Sequence, residues 1–114
     1  MLTIETLRRA GVNTEEGLRR LMNNETFYLR LVNMALDDAG FGKLSDAVGN
    51  DDRKAAFEAA HALKGVLGNL SLIPMYEKVS EMTELLRAGK DADYAHLLRQ
   101  LLEQRDELIR LREG

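Results

Sequence analysis

Apolar residues along this chain recur three and four positions apart, the spacing of one helical face, and no stretch alternates as a strand would. The clearest segment runs from Glu58 to Leu70. Wound at about 3.6 residues per turn, Ala56, Ala59, Ala60, Leu63, Val66, Leu67 and Leu70 form one stripe. His61 lies roughly 160° from the middle of that stripe and shares the outer face with Gly65 and Gly68, with Lys64 at the flank. Each mid-helix glycine costs about 0.5–1 kcal/mol relative to alanine, so two on one wet face call for compensation. Close approach of a partner to His61 would provide it.

The same pattern predicts the remaining elements. Thr3 to Ala10 forms a short helix with Ile4 and Leu7 inward and Gly11 as its stop. Asn13 caps a second short helix, with Glu16 three residues on and Leu18, Leu21 and Met22 following. Asn24 caps a longer helix through Phe27, Tyr28, Leu31, Val32, Ala35 and Leu36. Gly40 and Gly42 interrupt it around Phe41, and Leu44, Ala47 and Val48 resume it, either as a bent continuation or as a separate helix. Gly49 to Asp52 is a loop and cap, and Ser71 to Pro74 is a tight connection. The next helix buries Met75, Val79, Met82, Leu85 and Leu86 and stops at Gly89. Asp91 is expected to cap the last, with Tyr94, Leu97, Leu98, Leu101, Leu108 and Leu111 inside. The expected fold is all-α, an antiparallel up-down-up-down four-helix bundle with one or two short N-terminal helices. It forms a single domain over residues 1–114, with a leader over 1–23 and the bundle over 24–114.

Composition narrows the function. The chain is 45% hydrophobic and 31% charged with one proline, which suits a globular helical domain. A net charge of −3 and scattered basic residues without an aromatic platform argue against nucleic acid. The absence of cysteine removes disulfides, thiol chemistry and cysteine-based zinc sites. No apolar run approaches a bilayer span and no signal-peptide pattern opens the chain, so the expected location is cytoplasmic, without a membrane partner. Because the sequence starts at Met1, a free-standing protein is expected rather than a domain cut from a longer one, and a complete bundle needs no second copy, so a monomer is expected.

His61 is the candidate reactive group. A neutral imidazole carries one unprotonated ring nitrogen, which is nucleophilic. Lys64, one turn on, reaches the same solvent and could balance the roughly two negative charges of a phosphoryl group on the ring. No base relay accompanies His61, so transfer would depend on the partner's machinery.

His61-Ala62-Leu63-Lys64-Gly65 resembles the H-x-L-K-G signature of histidine-containing phosphotransfer (HPt) domains of bacterial two-component phosphorelays. The resemblance continues through the small and apolar residues before the histidine, Ala55 to Ala60, and through Val66 to Leu72 after it. Gly11 to Leu21 is similar to the leader of stand-alone members. Two positions depart: Ser71 stands where a glycine is usual, which could alter the turn, and Thr83 where an acid is frequent, which could alter a surface contact, with Glu81 and Glu84 nearby. The resemblance implies a four-helix bundle that accepts a phosphoryl group on His61 from a receiver-domain aspartate and passes it to another receiver. Lys64 would balance the phosphate and Gly65 would clear space for the receiver. The chain would be a phosphocarrier and not a kinase. It would have no intrinsic cofactor, the Mg²⁺ belonging to the receiver. Its partners would be response-regulator receiver domains and a hybrid sensor histidine kinase. Phe57, Glu58, Gly65 and Gly68 are the candidate docking residues; Phe57, about 120° from the core stripe, could equally pack at the bundle edge.

Two other readings compete. A helical docking module would use the same face without carrying phosphate. A metal-binding bundle would use Glu58-x-x-His61 and the looser Asp93-x-x-His96, but Glu58 and His61 face away from the core, and Lys64 would repel a cation. His96 reads as a partly covered surface residue, and the five methionines as core filler. Arg8-Arg9 and Arg19-Arg20 read as solvated faces, and nothing in the sequence favours a role for them in meeting a receiver.

Overall fold

A computed structural model describes all of residues 1–114 and contains seven helices and no strand. They are α1 (Ile4–Arg9), α2 (Thr14–Arg19), α3 (Glu25–Leu36), α4 (Ala39–Gly49), α5 (Arg53–Asn69), α6 (Ile73–Arg87) and α7 (Tyr94–Glu113). Helix accounts for 76% of the chain, so the all-α expectation holds. No helix is long and apolar enough to cross a membrane.

The starts are set by side-chain caps. Thr3 and Thr6 form a reciprocal capping pair before α1, and the carboxamide or carboxylate oxygens of Asn13, Asn24 and Asp52 accept the orphan N–H groups of α2, α3 and α5. The last helix is capped by Asp93, whose carboxylate accepts from the His96 N–H at 3.0 Å, and not by Asp91. Asp91 bonds the Arg53 guanidinium at 2.7 Å and so ties the loop before α7 to the start of α5.

The question left open around Phe41 resolves as a separate helix, and the aspartates rather than the glycines make the break. Asp38 is extended, with ψ of 133°, and its carboxylate accepts from the Gly40 N–H at 2.7 Å. Gly40 serves packing instead, since a Cβ there would lie 3.0 Å from the Leu63 side chain.

The bundle consists of α5 packed between α4 and α6, with α7 closing on α6, α4 and α3. Cross-contacts establish antiparallel neighbours. Gly68 faces Tyr76 while Phe57, three turns earlier in α5, meets Arg87. Arg112 bonds Asp37 at 2.9 Å, and Arg105, two turns earlier in α7, lies over the Phe41 ring. One core cluster joins all the helices, with Tyr28, Phe41, Leu44, Leu63, Leu67, Met82 and Leu101 at its fully buried centre.

The leader is built into this core. Leu2, Leu7 and Val12 are buried in the same cluster. A Cβ at Gly17 would lie 2.6 Å from the Tyr28 ring and 2.9 Å from the Leu70 carbonyl oxygen, so only glycine lets α2 sit this close. The Tyr28 hydroxyl donates to that carbonyl at 2.7 Å, and burial pushes its pKa up to about 12.

Several expected core positions are corrected. Met1, Met22 and Met34 are exposed, and only Met75 and Met82 fill the core, because Met22 falls in a turn and Met34 on the outer side of α3. Phe27, in the first turn of α3, is 41% exposed. Leu31, Val66, Leu85, Leu97 and Leu111 are only half-buried at the stripe flanks. His96 is exposed rather than partly covered.

Candidate functional site

His61 is the ninth of seventeen residues in α5, far from either frayed end. Ala59, Ala60, Leu63 and Leu67 bury the opposite face, so the core stripe itself holds the imidazole outward. Phe57, one turn earlier, lies against the His61 ring with centroids 5.7 Å apart and planes 8° from parallel. The Arg87 guanidinium of α6 lies 5.6 Å from the Phe57 centroid. Phe57 is half-buried and packed on the core edge. It therefore makes the edge contact foreseen for it and also braces the imidazole from below.

Lys64 leans toward α6, where its Nζ lies 3.8 Å from a Glu84 carboxylate oxygen. That separation is too long for a strong charge-assisted bond, and Glu84 also serves Arg87 at 3.2 Å. A more strongly charged neighbour could draw Lys64 away at little cost. Glu81 is paired with Lys78 instead. Thr83 is fully buried, and its hydroxyl donates to the Val79 carbonyl at 2.7 Å, so this position offers no surface contact of the kind the sequence left open.

The two glycines of the outer face differ. A Cβ at Gly65 would meet nothing within 4 Å, so Gly65 faces open solvent beside His61. A Cβ at Gly68 would lie 2.8 Å from Tyr76 Cε1, so Gly68 makes room for an aromatic ring of its own fold and is corrected as cleared ground. Glu58 is exposed on the other rim of α5, lining a groove toward α4 with Ala62, away from Lys64.

A groove runs along α5 from His61 past Lys64, Gly65 and Gly68. Its far wall contains Tyr76 of α6 together with Glu16 and Arg20 of the leader, residues that sequence reasoning did not assign to the site. Tyr76 had a signal, as a bulky residue early in the helix antiparallel to a glycine; Arg20, 48 positions from Gly68, had none. Ser71, where a glycine is usual, adopts φ of +56° and is buried. Its hydroxyl donates to Glu16 at 3.2 Å and accepts from Arg20 at 3.2 Å, which offsets the cost of a left-handed non-glycine residue. No cluster of three or more His, Asp or Glu side chains is placed to hold a metal ion.

Residues 30–114 match the family model of the Hpt domain. The chain belongs to the Hpt domain family. No curated protein and no solved structure matches it. Hpt domains are phosphocarriers that take part in histidine phosphotransfer and interact with receiver domains. The matched stretch includes α4 to α7 and the last seven of the twelve residues of α3, and it leaves the α1–α2 leader and the start of α3 outside.

Proposed function

We propose that this Hpt domain carries phosphate on His61, accepting it from the aspartyl phosphate of one receiver domain and returning it to the aspartate of another. The observation that carries the reading is an exposed imidazole at mid-helix, stacked on Phe57, in a groove that also holds Lys64. An unprotonated ring nitrogen attacks phosphorus, the P–N bond forms as the P–O bond to the aspartate breaks, and the electron pair of that bond leaves with the carboxylate. The proton on the other ring nitrogen stays in place through the attack. The chain contributes positioning: the core stripe aims the ring, Phe57 limits its rotation, and open space at Gly65 admits the receiver. Lys64 leaves its long contact with Glu84 to face the new charge. The receiver supplies Mg²⁺ and the acidic pocket, and a hybrid sensor kinase is the upstream source of phosphate. The domain acts in the cytoplasm as a monomer and has no kinase activity.

The test incubates the chain with receiver domains phosphorylated by acetyl phosphate and looks for an acid-labile, base-stable phosphoryl group. Wild type is expected to be labelled and His61→Gln to remain unlabelled. Lys64→Ala is expected to slow labelling by about fivefold, the scale of losing roughly 1 kcal/mol of charge pairing. Equal labelling of wild type and His61→Gln would refute the assignment of His61. A wild type that binds receivers and is never labelled would leave a docking module.

A further inference from the structure

We propose that Arg20, at the end of the leader, is a specificity-determining contact for the receiver domain, so that the docking face is assembled from α5 and from a part of the chain outside the family match. This rests on the phosphotransfer reading and adds to it a second point of contact.

Arg20 and Glu16 line the groove that holds His61, Lys64 and Gly65. Both precede the matched residues 30–114. The Arg20 guanidinium is held in one position: Nη1 donates to the Gly68 carbonyl at 2.6 Å and to Ser71 Oγ at 3.2 Å, and Nη2 donates to Glu16. Three of the five N–H groups of an arginine are thereby used, and two remain. The side chain is still 46% exposed. A guanidinium already ordered by its own fold loses little freedom when a partner binds it, which is the property of an anchor rather than of a solvated charge. The occupant follows from the chemistry of transfer. A receiver that donates from an aspartyl phosphate brings an anionic surface to His61, and the groove meets it with two cations, Lys64 beside the ring and Arg20 at the far wall, against one carboxylate, Glu16, which is itself held by Arg20. The long contact at Lys64 and the fixed geometry at Arg20 suit different tasks: Lys64 can follow a charge that arrives and leaves, whereas Arg20 can read a fixed carboxylate or carbonyl group on the receiver.

Arg20 also supports the left-handed Ser71, so the test separates support from docking. Transfer is measured at varied concentrations of a receiver domain phosphorylated with acetyl phosphate, one that labels the wild-type chain. Arg20→Ala is expected to raise KM about tenfold with kcat within about twofold. Arg20→Lys, which keeps the charge and loses the fork, is expected to fall between. Ser71→Gly relieves the need for support, because glycine takes this backbone conformation freely, and on its own it is expected to keep the wild-type KM. The double variant Arg20→Ala with Ser71→Gly is expected to retain the raised KM. An unchanged KM in Arg20→Ala, or its return to wild type in the double variant, overturns the proposal while leaving phosphotransfer intact. A wild-type chain labelled by no receiver overturns the phosphotransfer reading and this proposal with it.

Discussion

Gly65 and Gly68 lie three residues apart on one helix, and alanine at each is expected to change stability in opposite directions. In an exposed helix interior, glycine to alanine gains about 0.5–1 kcal/mol, mainly by restricting the unfolded chain. At Gly65 nothing lies within 4 Å of the new Cβ, so Gly65→Ala should realise the full gain. At Gly68 the Cβ would stand 2.8 Å from Tyr76 Cε1 and 3.1 Å from Cδ1. Overpacking costs about 1–3 kcal/mol, and rotation of the half-buried ring relieves part of it, so Gly68→Ala should lose a net ~1 kcal/mol. The two variants should therefore differ by about 1.5–2 kcal/mol, read as shifts of the urea midpoint at constant slope and followed by helical circular dichroism. Function should follow the opposite ranking. Gly65→Leu should fold at least as well as wild type and yet accept phosphate about tenfold more slowly, because the added side chain stands where a receiver must come. A destabilised Gly65→Ala, or a Gly65→Leu that transfers at the wild-type rate, would refute the account of an open face kept open for a visitor.

Two further outcomes concern the scaffold. Tyr28→Phe leaves the buried Leu70 carbonyl without its partner and should cost about 1–3 kcal/mol in urea unfolding at pH 7. The native tyrosine keeps its proton up to about pH 12 while the unfolded chain loses it above about 10, so the unfolded state binds fewer protons in that window. Wild-type stability should fall by about 1.4 kcal/mol per pH unit from 10 to 12, and in Tyr28→Phe that component should be missing from the titration. Asp93→Ala should lower stability by about 1 kcal/mol through loss of the α7 cap, and Asp91→Ala, which breaks an exposed pair with Arg53, should lower it less; a reversed order in thermal unfolding would restore Asp91 as the cap.

Much of the site was legible because one helix carries it. Helical periodicity alone turns His61 away from Ala59, Ala60 and Leu63, and puts Lys64 and Gly65 within a turn of it. Caps were legible for the same reason, since a side chain and the N–H it satisfies lie two or three residues apart. Asp91 was misread as a cap because two aspartates stand near the start of α7 and only the backbone path selects between them. Gly68 was misread because a glycine on an outer face looks the same whether solvent or a neighbouring ring fills its space. The exposed methionines were misread because apolar character alone does not say that Met1 lies at the chain end, Met22 in a turn and Met34 on the uncovered side of α3.

The sequence by itself determined the helices apart from the break between α3 and α4, the exposure of His61 and the family, because each depends on residues within a few turns or on a contiguous motif. Only the tertiary structure decided that the leader reaches the groove. Gly17 against the Leu70 carbonyl and Arg20 on Gly68 and Ser71 join residues about fifty positions apart, and such pairs form through chain packing that no local periodicity encodes.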